Sequence, residues 1–103
     1  MKLWLDDIRK PPAGFVWAKT AGEAIGYVRT GRVELIHFDH DLGEEETGYD
    51  VAKEIMRLCE SGVIPCPEWY VHTSNPVGRE NIEAAMASAF KLSRRVIDGQ
   101  SLN

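Results

Sequence analysis

Three short apolar runs in this sequence each end in residues that carry a carboxylate or an imidazole, and this pattern constrains the fold more than any other. Short runs rich in branched and aromatic residues favour buried strands. Parallel strands bring their carboxyl ends to one edge of a sheet, so we expect these polar residues to meet there. The runs and their ends are 2–5 with Asp6-Asp7, 33–38 with Asp39-His40-Asp41, and 68–72 with His72-Thr73-Ser74-Asn75.

Helix signals separate the three runs. Thr20 and Glu23 form the Thr-x-x-Glu pattern of a capping box, and apolar residues follow at helical spacing. Thr47 offers the cap of a second helix with one apolar face. Asn75 and Pro76 start a third helix, since a capping side chain is followed by proline at the first helical position.

Two other segments complete the predicted architecture. Residues 15–17 predict a strand after a proline-containing loop, and 94–97 either prolong the last helix or form a short edge strand. Alternating strands and helices imply parallel pairing with right-handed crossovers. We therefore predict one α/β domain over 1–103, with a mainly parallel sheet covered by helices.

The charge balance limits the partners that such a domain can bind. Twelve Lys and Arg against 16 Asp and Glu give a formal charge of -4, which argues against a broad nucleic-acid-binding face. A small anionic ligand is compatible with this charge. No apolar segment approaches the roughly 18 residues of a membrane span, and no signal peptide is evident, so we expect a cytoplasmic protein without membrane contact.

Cys59 and Cys66 match no zinc spacing and are interpreted as reduced thiols that fill the core or its edge.

The acids at two strand ends form a candidate metal site. Carboxylates from separate strands repel one another when placed side by side, unless a divalent cation or a shared proton offsets the repulsion. Mg²⁺ suits oxygen ligands, whereas softer metals prefer thiolates. We expect one or two of Asp6, Asp7 and Asp39 to bind Mg²⁺, with waters completing the octahedron.

Two histidines at these ends are candidates for proton transfer. His40 and His72 can act as general acid and base, because imidazole titrates near neutral pH. Asp39 and Asp41 flank His40 in the sequence. These two acids would hold the metal or orient a histidine, which completes the predicted catalytic set.

The start of the last predicted helix is a candidate phosphate site. Ser74 and Asn75 precede the helix, whose first N–H groups and positive dipole end suit a phosphate. Arg79, in the first turn, could bind the same anion with two hydrogen bonds, and Arg9 could do so from the opposite side. Gly78 would allow close backbone approach to the ligand, or would only satisfy the backbone geometry.

Each of these residues also has a structural interpretation. Asp6 and Asp39 could simply accept hydrogen bonds from loops at strand ends, and Asn75 could only cap a helix. His37, inside an apolar run, is better explained as a hydrogen-bonded core or inter-element histidine than as a ligand, and 44–46 as a solvated loop. The convergence of several acids at one edge favours a functional site.

Four segments, taken in order, match one family pattern. They are Leu5-Asp6-Asp7-x-Arg9, Asp39-His40-Asp41-Leu42-Gly43, Thr47-Gly48-Tyr49-Asp50 and His72-Thr73-Ser74-Asn75-Pro76-Val77-Gly78-Arg79-x-Asn81-Ile82. Together they resemble the cyclic-phosphate processing receiver-like domains, atypical relatives of two-component receivers. The resemblance implies a small three-layer, flavodoxin-like sandwich of about four strands and three helices. It also implies activity on cyclic phosphates, such as the 2′,3′-cyclic phosphate ends met in RNA repair.

The resemblance also implies individual roles. Asp6 and Asp7 are similar to the metal-binding acids of receivers, and Asp39 is similar to their phosphoacceptor. The leading hypothesis is a phosphoesterase acting on a cyclic phosphate of a nucleotide or an RNA end. The alternatives are a signalling or partner-binding module phosphorylated at Asp39, and a catalytically inactive accessory domain.

Overall fold

The computed structural model describes the backbone of residues 1–102 and the side chains of residues 1–92. The elements, in chain order, are β1 (Lys2–Leu5), β2 (Phe15–Ala18), α1 (Ala21–Val28), β3 (Leu35–Phe38), α2 (Gly48–Glu60), β4 (Glu68–Val71) and α3 (Pro76–Leu102). The predicted alternation of strands and helices is confirmed. Residues 94–97 continue α3, so they do not form an edge strand, and Asn103 lies outside the described residues.

The four strands form one parallel sheet in the order β2-β1-β3-β4. Leu3 of β1 pairs with Val16 of β2 and with Ile36 of β3, and Ile36 pairs with Trp69 of β4. The strands run in one direction, so their carboxyl ends lie at the same edge, with β1 and β3 as immediate neighbours. The prediction of an α/β fold with a parallel four-stranded sheet and three helices is confirmed.

A threonine stands at the N-cap position of each of the first two helices, as the sequence predicts. The Oγ1 atom of Thr20 accepts a hydrogen bond from the backbone N–H of Glu23 at 3.1 Å. At the start of α2, the backbone N–H of Thr47 donates to the Asp50 carboxylate at 2.8 Å. Such bonds satisfy backbone groups that a helix leaves unpaired at its first turn.

The core lies between one face of the sheet and the helices. Alternation along β1 and β3 turns four fully buried side chains to this face: Leu3, Leu5, Ile36 and Phe38. The same cluster contains fully buried residues of α2 and α3: Val51, Ile55, Ile82 and Met86. Cys59 is buried and Cys66 partly buried, and both thiols are free. Truncating one such core side chain to alanine costs about 2–5 kcal/mol, so this layer holds the strand ends firmly in place.

All three helices lie on this one face, and the molecule therefore has two layers. The connections β2–α1–β3 and β3–α2–β4 cross the sheet in the same direction, so right-handed crossovers place both helices on one side. Helix α2 packs against both α1 and α3. The three-layer arrangement implied by the resemblance is thus corrected to two. The connection from β1 to β2, residues 6–14, is a loop, and no described helix covers the other face.

Eight side chains project from that other face, which we call the open face: Lys2, Trp4, Phe15, Trp17, Leu35, His37, Glu68 and Tyr70. All eight are at least partly exposed, and Tyr70 is 59% exposed. His37, predicted to be a core or inter-element histidine, is one of them and is partly exposed. The sheet thus has one buried aliphatic face and one aromatic face that is open to solvent.

Candidate functional site

Three carboxylates meet at the carboxyl ends of β1 and β3. Asp6 and Asp7 follow β1 directly, and Asp39 follows β3. One oxygen from each of these residues lies within 4.8 Å of the others, and we call the three residues the acid cluster. The acids are close because β1 and β3 are hydrogen-bonded neighbours. At this spacing the three carboxylates could bind one cation together.

Asp6 is the most firmly held of the three acids and is 1% exposed. Its Oδ1 atom accepts hydrogen bonds from the backbone N–H groups of Ile8 at 2.9 Å and Arg9 at 2.8 Å. Burial alone would raise the pKa of Asp6, but these N–H groups and the His72 ring outweigh it, so the pKa lies below its ordinary value. Asp6 therefore has both the loop-binding role and the ionised state that a metal ligand needs.

His72 brings an imidazole from the end of β4 to this carboxylate. Its Nε2 atom lies 3.0 Å from Oδ2 of Asp6, and its ring stacks on Trp4 with centroids 4.4 Å apart and planes inclined by 12°. The Nδ1 atom is buried and has no hydrogen-bond partner among the described residues. Because the carboxylate can only accept, the geometry favours the tautomer with hydrogen on Nε2. Any proton exchange in this conformation therefore passes through Nε2.

A cavity of about 330 Å³ opens over the acid cluster. Its lining brings together seven of the residues predicted from the sequence and adds Ile8 and Gly43: Asp6, Asp7, Ile8, Arg9, Asp39, Asp41, Gly43, His72 and Ser74. Arg9 is the only cationic residue in this lining. Another cavity, of about 370 Å³ and lined by Cys66, Phe90 and residues 67–70, is mainly apolar. The chemistry therefore favours the smaller, polar cavity.

His40 does not line the cavity, contrary to the expectation that it would work beside His72. Its Nδ1 atom lies 3.0 Å from Oδ1 of Asp41 and 3.4 Å from Nδ2 of Asn75. The other side of the ring packs so closely on Gly78 that a Cβ atom there would overlap it. His40 thus joins the end of β3 to the start of α3.

The residues predicted to form one phosphate site lie in two different places in the structure. Ser74 and Arg9 line the cavity, whereas Asn75 caps α3 by accepting the backbone N–H of Gly78 at 2.9 Å. Arg79 is the clearest correction. Its guanidinium donates to the carbonyl oxygens of Val71 and Thr73, each at 3.0 Å, so it holds the loop between β4 and α3 and does not enter the cavity.

Two side chains that contribute to the site were missed from the sequence. Ile8 is 80% exposed at the cavity mouth, and Trp4 supports the His72 ring. Alternation gave a signal for Trp4, since it lies two residues before Asp6 and hence on the same face. Outside the cavity, Glu44, in the loop predicted to be solvated, accepts the backbone N–H of Ala21 at the start of α1, at 2.9 Å. No local pattern predicts this last contact, because it joins residues 23 positions apart.

A parallel sheet whose neighbouring strands end in three clustered aspartates defines a receiver-like α/β domain. The particular kind follows from sequence comparison: the family model of the cyclic-phosphate processing receiver domain matches residues 1–88, and the chain belongs to this family. No curated protein and no solved structure matches the chain significantly. No helix in the described part of the chain is long and apolar enough to cross a membrane.

Proposed function

We propose that this protein is a cytoplasmic phosphoesterase that opens the cyclic phosphate of a nucleotide or of an RNA end. The observation that carries the proposal is the pairing of the acid cluster with His72, whose Nε2 atom lies 3.0 Å from Asp6 in a cavity that also contains Arg9. The family to which the chain belongs is described by cyclic-phosphate processing, which supports this substrate class.

Mg²⁺ is the cation that the acid cluster fits best. The donors are all carboxylate oxygens, and hydrogen bonding favours the ionised form of Asp6. Asp7 and Asp39 would be the principal ligands, because both oxygens of Asp6 are already engaged by His72 and by backbone N–H groups. When bound, the ion would supply positive charge to the phosphate oxygens. This charge matters because three carboxylates would otherwise repel an anionic substrate.

The side chains of the cavity supply the remaining chemistry. The exposed guanidinium of Arg9 would bind a phosphate oxygen, and the Ser74 hydroxyl could donate to another. In hydrolysis, a water oxygen forms a new bond to phosphorus while one ring P–O bond breaks and the released ribose oxygen takes up a proton. The proton lost by the water would reach that oxygen by way of Nε2 of His72, which would exchange its hydrogen bond to Asp6 for one to the substrate.

A substrate screen tests the proposal. We expect 2′,3′-cyclic mononucleotides to be converted to monoesters in the presence of Mg²⁺, and chelation to abolish this turnover. His72→Ala should reduce kcat by at least about 100-fold, the range of general acid–base catalysis. Asp39→Asn should also reduce turnover strongly, because it removes a principal Mg²⁺ ligand. Glu45→Gln is the matched control, since it removes an exposed acid outside the cavity. Full activity of folded His72→Ala would defeat the assigned role.

A second candidate function is phosphoryl acceptance at Asp39. Asp39 lies at the end of β3 beside Asp6 and Asp7, and its side chain lines the cavity. This position favours phosphoryl acceptance. Acetyl phosphate should then label the wild type but not Asp39→Asn. An accessory domain without chemistry predicts neither labelling nor turnover.

A further inference from the structure

The open face carries a connected group of aromatic rings that begins at the cavity. Trp4 stacks on His72 and lies 5.4 Å from the ring of His37. The His37 ring is in turn 5.1 Å from Tyr70 on one edge strand and 5.1 Å from Phe15 on the other. An aromatic surface therefore runs from the candidate site across all four strands.

Positive charges border this surface, although the chain as a whole is acidic. The Lys2 ammonium lies 5.9 Å from the centroid of Phe15, and that of Lys19 lies 4.4 Å from the centroid of Trp17. Arg9 adds a third cation where the open face meets the cavity. Glu68 is the one acid among the eight residues of the open face, and it lies on the edge strand β4. The charge of this face is thus complementary to a polyanion, and its aromatic rings are complementary to bases.

We infer that the open face binds the bases of a short unpaired RNA strand whose terminal cyclic phosphate occupies the cavity. The inference rests on the proposed function, because a 2′,3′-cyclic phosphate requires a ribose and hence an RNA end. Bases stack on aromatic side chains whatever their sequence, and nearby lysines engage the backbone between them. Four-stranded sheets with aromatic side chains on an open face bind about two or three bases in this way.

The small number of cations limits the length of the strand. With three positive side chains near the aromatic surface, stacking contributes more than phosphate contacts, so binding depends only weakly on salt. A long nucleic acid would instead meet the acidic remainder of the molecule. The occupant is therefore a strand end and not an extended polymer.

The test compares a tetranucleotide ending in 2′,3′-cyclic phosphate with the cyclic mononucleotide, using the full chain. We expect KM to be at least about 10-fold lower for the tetranucleotide, since a single stacked base already accounts for about that factor. Tyr70→Ala, at an exposed position, should reduce the KM advantage of the tetranucleotide over the mononucleotide by up to about 10-fold. The double variant Lys2→Ala/Lys19→Ala should also reduce this advantage. Val63→Ala and Lys53→Ala are matched controls, since Val63 is 64% exposed elsewhere and Lys53 lies 4.8 Å from the Tyr49 ring in α2.

Binding without chemistry separates this inference from the proposed function. The same tetranucleotide with a plain 3′-hydroxyl should bind in fluorescence anisotropy, more weakly for Tyr70→Ala. Such binding without turnover of any substrate would support RNA binding by the open face and would contradict the proposed phosphoesterase function. Equal KM values for both substrates in the wild type would overturn the inference and leave the phosphoesterase in place. A dimer that Tyr70→Ala dissociates, together with no RNA binding, would assign the face to protein contact and also overturn it.

Discussion

The ring of His40 occupies the space beside Gly78 that a Cβ atom would need. Gly78→Ala should therefore push the ring away from Asp41 and Asn75 and open the junction between β3 and α3. We expect a loss of about 1–3 kcal/mol in the free energy of unfolding, the usual cost of overpacking. Urea denaturation followed by circular dichroism measures it.

Gly26→Ala provides the control for that substitution. Gly26 lies within α1, and a Cβ atom there would meet nothing within 4 Å. Alanine in a helix interior stabilises by about 0.5–1 kcal/mol relative to glycine. Opposite signs for the two variants are expected, and a Gly78→Ala protein as stable as the wild type would show that the contact is unimportant.

The acid cluster should destabilise the protein when no cation is present. Asp7→Asn removes one of three neighbouring negative charges, so we expect it to gain about 1 kcal/mol in EDTA, or about 5 °C in Tm. Millimolar Mg²⁺ should raise the Tm of the wild type but not that of Asp7→Asn. Thermal unfolding with and without Mg²⁺ tests both statements.

Glu45→Gln, which removes a charge from the neighbouring loop, should respond to Mg²⁺ as the wild type does. A wild-type Tm that is insensitive to Mg²⁺ at all concentrations up to about 10 mM would argue against a cation in the cluster.

Arg9 and Arg79 should behave differently despite their identical chemistry. Arg9 lines the cavity with an exposed side chain, so Arg9→Ala should raise KM about 10-fold or more with little change in Tm. Arg79 donates to the carbonyl of Val71 at the end of β4 and to that of Thr73 in the following loop, so Arg79→Ala should lower the free energy of unfolding by about 1–2 kcal/mol. Steady-state kinetics and urea denaturation of both variants separate the roles. A rise in KM for Arg79→Ala at unchanged stability would restore Arg79 to the phosphate site.

The capping box of α2 should make stability depend on pH. The backbone N–H of Thr47 is the main cause that holds the pKa of Asp50 below its ordinary value of 3.8, with Lys53 contributing further. A lowered carboxyl pKa gives stability that is present above pH 3.8 and is lost as the pH falls through the folded-state value. Asp50→Asn should therefore cost about 1 kcal/mol at neutral pH, and this difference should close in acid.

Urea titrations between neutral and strongly acidic pH measure this closing difference. Glu60→Gln, at the exposed far end of α2, should show no such convergence with the wild type. A constant gap between wild type and Asp50→Asn at all pH values would exclude the cap as its source.

The strand ends could be predicted because local patterns determine them. Each apolar run stops at a charged or imidazole residue, and parallel pairing then brings Asp6, Asp39 and His72 together. The number of layers could not be predicted in the same way. It follows from the order of the strands across the sheet, which alternation along one strand does not encode, taken together with the loop between β1 and β2, which the sequence does predict.

The sequence also did not predict the direction in which some side chains of the site point. An arginine in the first turn of a helix suits a phosphate, but Arg79 donates instead to the carbonyl oxygens of Val71 and Thr73, before the start of its helix. The His40 ring similarly turns towards Asn75, a residue 35 positions away. Such choices depend on contacts that exist only after the chain has folded.

The pairing of β1 with β3 has a consequence for folding. Asp6 and Asp39 are 33 residues apart, and they become neighbours only when Leu5 aligns with Phe38. A chain in which this ladder has not yet formed offers no three-carboxylate site. A cation held there would act on the completed molecule alone, so its main kinetic effect would be slower unfolding, with the refolding rate almost unchanged.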